Sequence, residues 1–233
     1  MIQTDYNSVM IKNFIFDLYN TLIDVKTDEH CERAWRGVTE FFGERGIKTD
    51  WHAVMREFDG YWARFRAENN SEYEYPECDC VTQFASMAER LGGTLTREEA
   101  THALRLMRKA SIERLRLFDG TAELLDEMRS KGARLYLLSN AQSAFTAAEI
   151  ADVGLTGKFD GMLLSSDCGC RKPDVRFFGM LFDRFGLKKT ESVMIGDDAE
   201  SDGAGAAAFG IRFIHVPGGA AAHVGEIMRA LRP

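Results

Sequence analysis

Five short apolar runs, each closing on small or polar residues, punctuate the sequence: 11–17 (Ile-Lys-Asn-Phe-Ile-Phe-Asp), 134–139, 161–165, 192–197 (Ser-Val-Met-Ile-Gly-Asp) and 211–216. Runs of this length are too short for most helices and suit strands buried on both faces. Between the later runs lie helical periodicities over 121–130, 143–152, 174–185 and 201–209. Strand and helix therefore alternate from about residue 116 to 216, which predicts an α/β fold with a doubly wound parallel sheet covered by helices on both faces. Ligands of such sheets sit beyond the carboxyl ends of the strands, where Asp17, Ser139, Ser165 and Asp197 would gather.

Residues 28–115 follow a different rhythm. Four amphipathic segments, near 29–45, 50–68, 79–91 and 96–115, carry the 3.6-residue period, and no strand is expected among them. The predicted organisation is a core made of 1–27 and 116–233, interrupted by an all-helical insertion over 28–115. Trp35, Phe41, Phe42, Phe58 and Phe84 are expected to pack a small core of the insertion's own. The segment Glu72-Tyr73-Glu74-Tyr75-Pro76 breaks two of its helices and is a candidate substrate-facing loop.

A chain of 233 residues that is 45% hydrophobic can bury one full core and a second, smaller unit. It contains no apolar stretch long enough to span a bilayer, and its opening, Met-Ile-Gln-Thr-Asp-Tyr-Asn-Ser, is too polar for a signal peptide, so no membrane partner and a soluble, cytoplasmic protein are expected. The formal charge of -7 repels a phosphodiester backbone, and no nucleic-acid partner is expected. The five cysteines, two pairs of them spaced Cys-x-Cys (Cys78/Cys80 and Cys168/Cys170), fit reduced, partly buried thiols better than a disulfide framework or a zinc site. No histidine falls in a candidate motif. Oligomeric state is left open.

Four segments carry candidate chemistry. Asp17-Leu18-Tyr19-Asn20-Thr21 offers a strand-end carboxylate, a backbone carbonyl two residues on, and a hydroxyl within four. Ser139-Asn140 adds short hydrogen-bonding side chains. Arg171-Lys172-Pro173-Asp174 supplies a cation before a helix, and Gly196-Asp197-Asp198-Ala199-Glu200-Ser201-Asp202 a strand-end cluster of acids. Together they suit transfer of an anionic group to a carboxylate, because Asp17 and a phosphate repel unless cations neutralise them. Asp17, the carbonyl of Tyr19 and Asp197 are hard oxygen donors of the kind Mg²⁺ takes. Lys172 would hold the same phosphate as a point charge, while Ser139, Asn140 and the Leu18 amide would bind its oxygens.

These segments, in this order and spacing, resemble the four motifs of the haloacid dehalogenase-like hydrolase superfamily, mostly phosphatases, and the resemblance spans essentially the whole chain. It implies a Rossmann-like core and a helical-bundle cap, the insertion, that closes over the site and selects the substrate. It also implies roles: Asp17 as the nucleophile of a phospho-aspartyl intermediate, Thr21 and Ser139 steadying it, and Lys172 neutralising charge with Asp202 positioning it. Asp197 would join Asp17 and Tyr19 on Mg²⁺, and Asp198 would act as a supporting neighbour.

One position departs from the pattern. Phosphatases of the superfamily usually carry a second aspartate two residues after the nucleophile, to protonate the leaving group and activate water. Tyr19 stands there instead as the catalytic candidate in place of that acid/base, and a tyrosine with a pKa of about 10 can donate a proton but is a poor base at neutral pH. The 2-haloacid dehalogenases of the superfamily do carry tyrosine at that place, but they lack the metal-binding acid that Asp197 supplies. Three readings stay open: a Mg²⁺-dependent phosphatase acting on a small phosphorylated metabolite, a dehalogenase-like hydrolase, and a catalytically weak protein that binds a phosphorylated ligand.

Overall fold

The computed structural model describes residues 10–68 and 71–231. The polar opening at 1–8 and the outer ends of the two core segments lie outside them.

Five parallel strands, β1 (Asn13–Phe16), β4 (Arg134–Ser139), β5 (Gly161–Leu164), β6 (Ser192–Gly196) and β7 (Arg212–His215), form one sheet in the order β5-β4-β1-β6-β7. Side chains alternate across it, as a period of two requires. Phe14, Phe16, Leu135, Leu137, Val193 and Ile195 face one layer, and Ile15, Tyr136, Leu138 and Met194 face the other. The first layer is closed by α5 (Thr121–Ser130), α6 (Ser143–Asp152) and α9 (Val224–Ala230), the second by α7 (Val175–Phe185) and α8 (Ala204–Phe209). Helices on both faces make the expected doubly wound α/β sheet.

The chain enters at β1, builds outward through β4 and β5, then crosses back to place β6 and β7 on the other side of β1. That reversal opens a crevice at the carboxyl ends of β4, β1 and β6.

Four helices, α1 (Glu32–Glu44), α2 (Trp51–Glu68), α3 (Cys80–Arg90) and α4 (Arg97–Ser111), fill the region between β1 and β4 and bury a separate core around Trp35, Phe42, Phe84 and Met107. Thr96 and Glu99 start α4 with a reciprocal capping box. Ala144 and Phe145 of α6 pack against this second core, so the two units share an apolar contact.

Two local readings are corrected. The helix expected through 115 ends at Ser111, and β3 (Ile112–Leu117) pairs antiparallel with β2 (Ile23–Thr27). The stretch 28–115 thus contains a strand's beginning where none was expected. Arg114 and Leu115 favour helix locally, but strand geometry lets Glu113 meet Lys26 at 2.6 Å and Arg114 meet Asp24 at 2.7 Å, partners about ninety residues away that no local period reveals. The helix expected over 201–209 begins instead as a wide π-helical turn, Ala199–Gly203, continuing into α8. Among the described residues no helix is long and apolar enough to cross a membrane.

Candidate active site

Asp17 follows β1 directly, Ser139 ends β4, and Asp197 follows β6, so three adjacent strands deliver their terminal side chains to one crevice. Lys172 arrives from the loop before α7. Together with Tyr19, Asn20, Asn140, Asp198, Ser201 and Asp202 they line a cavity of about 160 Å³.

At its floor, the Lys172 ammonium lies between two carboxylates, 2.5 Å from Asp17 Oδ1 and 2.6 Å from Asp202 Oδ1. The lysine is 3% exposed and Asp202 1%. Burial works against the charge of Lys172, yet the two neighbouring carboxylates outweigh it and hold its pKa above the ordinary value. Asp202 is pushed up to about 7 by burial and by Asp17's charge, against the pull of Lys172. Ser139 also donates to Asp17 Oδ1, at 3.1 Å. Asn140 fixes the lysine's main chain, accepting from its N–H at 2.8 Å and donating to its carbonyl at 3.1 Å.

Gly196 makes this packing possible. A Cβ there would lie 2.0 Å from Asp202 Oδ2.

The other acids have separate tasks. Asp197 Oδ1 accepts from the Thr21 hydroxyl at 2.9 Å, and the Asp197 N–H donates back to that oxygen at 3.1 Å. Thr21 therefore orients Asp197, whereas the resemblance implied contact with the nucleophile. Burial raises the Asp197 pKa and Asp17's charge adds to it, so a cation between them would relieve both. Asp198 faces the following turn, accepting from the Glu200 and Ser201 N–H groups and from the Ser201 hydroxyl. Those bonds outweigh its burial and hold its pKa low. His215 contacts the Asp197 carbonyl, at 2.9 Å, and stacks on the Phe213 ring.

One oxygen each of Asp17, Asp197 and Asp202 lies within 4.8 Å of the others, a spacing a divalent cation can bridge. Both Asp202 oxygens are engaged, Oδ1 by Lys172 and Oδ2 by the Asp198 N–H, so the carboxylates that fit such an ion best are those of Asp17 and Asp197.

Two candidate residues sit differently from the rest. The Leu18 side chain is wholly buried in the sheet core, so only its main chain can serve a ligand. The Tyr19 hydroxyl donates to Glu149 Oε2 at 2.6 Å and lies 3.2 Å from the Thr146 hydroxyl, both on α6. Glu149 is held in turn by Arg108 of α4, at 2.6 and 3.1 Å. Burial and the Glu149 charge push the Tyr19 pKa well up.

Sequence reasoning missed Glu149, Thr146 and Arg108. Thr146 and Glu149 share a helix face three residues apart, but nothing local marks them as partners of a residue about 130 positions earlier.

The 72–80 segment docks on the core rather than standing free. Arg171 N–H donates to the Tyr75 carbonyl, Glu77 N–H to the Gly169 carbonyl, and the Ser165 hydroxyl to Glu77 at 2.6 Å. All five cysteines are free thiols.

A doubly wound α/β core with its acids at the switch point, a buried lysine between two of them, and helices inserted after the first strand define a hydrolase of a particular kind. The family model for haloacid dehalogenase-like hydrolases matches residues 11–210, and the chain belongs to that family. It is 31% identical over 105 residues to ribulose-1,5-bisphosphate 5-phosphatase of Halopiger xanaduensis, a match covering 45% of this chain and 44% of that protein. A longer match, 23% identical, covers 83% of the chain and 79% of the glyceraldehyde 3-phosphate phosphatase of Methanocaldococcus jannaschii. Among solved structures, a HAD-like family hydrolase from Porphyromonas gingivalis superposes with a TM-score of 0.59, 20% identity, and coverage of 97% of this chain and 100% of that one. At that identity the likeness is one of fold.

Proposed function

We propose that the chain is a Mg²⁺-dependent phosphatase that hydrolyses a small phosphorylated metabolite through a covalent intermediate on Asp17. The observation that carries this reading is the Asp17–Lys172–Asp202 arrangement beside Asp197: a strand-end carboxylate, otherwise repelled by a phosphoryl group, held against a buried cation. Relatives named as sugar-phosphate phosphatases support the choice of phosphate.

In this mechanism a carboxylate oxygen of Asp17 forms a bond to phosphorus as the bond to the leaving oxygen breaks. Water then attacks the phosphorus, and phosphate departs with Asp17 regenerated. Lys172 offsets the charge on the phosphoryl oxygens, while Ser139, Asn140 and the main chain after Asp17 donate to them. Mg²⁺, held by Asp17, Asp197 and the Tyr19 carbonyl, would supply further neutralisation when bound. Asp202 keeps Lys172 in place, and Thr21 keeps Asp197 in place.

Tyr19 takes no proton-transfer role, because its hydroxyl is bound to Glu149 and its pKa is raised. Substrates whose leaving group needs little protonation, such as acyl phosphates, are therefore favoured. The helices of 28–115 act as a cap that selects the substrate. Dehalogenation of a 2-haloacid fits less well, since Asp197, Asp198 and Asp202 would oppose a carboxylate substrate.

The test is phosphate release from a panel of phosphorylated metabolites, with Mg²⁺ and with chelator, for wild type and Asp17→Asn. The reading requires metal-dependent release that the substitution abolishes. Undiminished release from Asp17→Asn would refute it.

A further inference from the structure

We propose that the chain carries a second small-molecule site, built on Arg171, for an anionic group attached to a planar ring. The site is a cavity of about 390 Å³ bounded by Trp62, Phe65 and Arg66 of α2, by Tyr73, Tyr75 and Pro76 of the docked segment, and by Arg171. It shares no lining residue with the cavity around Asp17.

Arg171 is the unusual feature. Its main-chain N–H is used by the Tyr75 carbonyl, but its buried Nε has no hydrogen-bond partner, and among the described residues its guanidinium forms no ion pair. A guanidinium offers five donors in a planar fork, and leaving it without an acceptor in a partly buried position is unfavourable. Glu77, whose carboxyl feels the Arg171 charge, has its oxygens engaged by the Ser165 hydroxyl and the Cys78 N–H. What holds the side chain is the face of Trp62, 5.5 Å away.

The walls specify the rest of the ligand. Four aromatic side chains, each only part-buried or exposed, surround the cavity; Arg171 lies over one face of Trp62, Arg176 over one face of Tyr73, and Phe65 packs edge-on to Trp62, so the walls are flat and largely apolar. Arg66 and Arg171 against Glu74 leave a net positive lining. A planar ring bearing a carboxylate or phosphate satisfies both features: the ring lies among the aromatics and the anion engages the Arg171 fork.

Residues 171 and 172 are consecutive, yet Lys172 is committed to Asp17 and Asp202 while Arg171 faces the inserted helices. Two anion-directed cations thus leave one stretch of main chain on different sides. This site does not depend on the reaction at Asp17.

The experiment is calorimetric titration of benzoate, with neutral benzamide as the control, into the full chain in the presence of chelator. Saturable binding of benzoate and not of benzamide is expected, weakened about ten- to hundredfold in Arg171→Met. Trp62→Leu should also weaken it, and Arg171→Lys should restore only part, which keeps the test valid should Arg171→Met fail to fold. Absence of saturable benzoate binding to wild type, or binding unchanged in folded Arg171→Met, overturns the proposal. Benzoate should leave the KM of a turned-over phosphate ester unchanged; a raised KM would place the ligand in the substrate's own site and would also overturn the proposal.

Discussion

The hydroxyl of Tyr19 donates to Glu149 at 2.6 Å, turning the side chain that follows the nucleophile toward α6 and the insertion. Glu149 is 4% exposed and also carries Arg108 of α4, whose guanidinium lies 4.7 Å from the Phe145 ring and 5.5 Å from that of Tyr19. The loop bearing Asp17 is thereby joined to both the core and the inserted helices through one part-buried ion pair.

If Tyr19 has no part in proton transfer, Tyr19→Phe keeps kcat within about twofold, whereas removing a positioned general acid costs about 10²–10⁴-fold. The lost hydrogen bond lowers stability by about 1 kcal/mol, because Glu149 retains Arg108. Steady-state kinetics on the identified substrate and urea unfolding check the two halves.

Glu149→Ala is far more damaging. It leaves Arg108 and the Tyr19 hydroxyl without their main partner in a part-buried place, a change that costs about 3 kcal/mol, the upper end for groups left unsatisfied. Adding Arg108→Ala to that variant costs less than the two separate losses summed, with a coupling of about 1–3 kcal/mol, measured by a double-mutant cycle on unfolding free energies.

At Gly196 the account makes a steric prediction. An alanine Cβ there would overlap Asp202, so Asp202 must shift and release Lys172. Gly196→Ala should lower stability by about 1–3 kcal/mol and reduce turnover, both readable by thermal unfolding and initial rates.

Much of this was legible in the chain itself. The strand-end positions of Asp17, Ser139 and Asp197 follow from apolar runs that stop at those residues, and Lys172 stands out as a cation before a capped helix. The β2–β3 pair was not legible, because its stabilising contacts join residues about ninety apart while Arg114, Leu115 and Arg116 locally favour helix. Nor was the direction of the Tyr19 side chain, which depends on a glutamate and an arginine contributed by two distant helices. Thr21 shows the same limit in miniature: its place near the nucleophile is visible in sequence, and its bond to Asp197 is not.

Asp174 links pH to the docked 72–76 segment. Its carboxylate accepts from the Arg176 and Glu74 N–H groups and pairs with the Arg176 side chain at 3.3 Å. Burial works to raise its pKa, but these bonds outweigh it and set it below 3.8. A depressed carboxylate stabilises the fold above its unfolded pKa and loses that contribution as pH falls through the folded value. Asp174→Asn, which keeps the helix cap but not the charge, should cost about 1 kcal/mol at pH 7, and the difference from wild type should narrow in urea unfolding as pH falls below the ordinary carboxylate value and through the lower folded one.

The most direct measurement is to trap the intermediate. Wild type mixed with a turned-over, phosphoryl-labelled substrate and Mg²⁺, quenched in acid within one turnover and mapped by peptide, should carry the phosphoryl group on Asp17. Steady phosphate release with no label on the Asp17 peptide, or a label on another residue, would contradict the central claim.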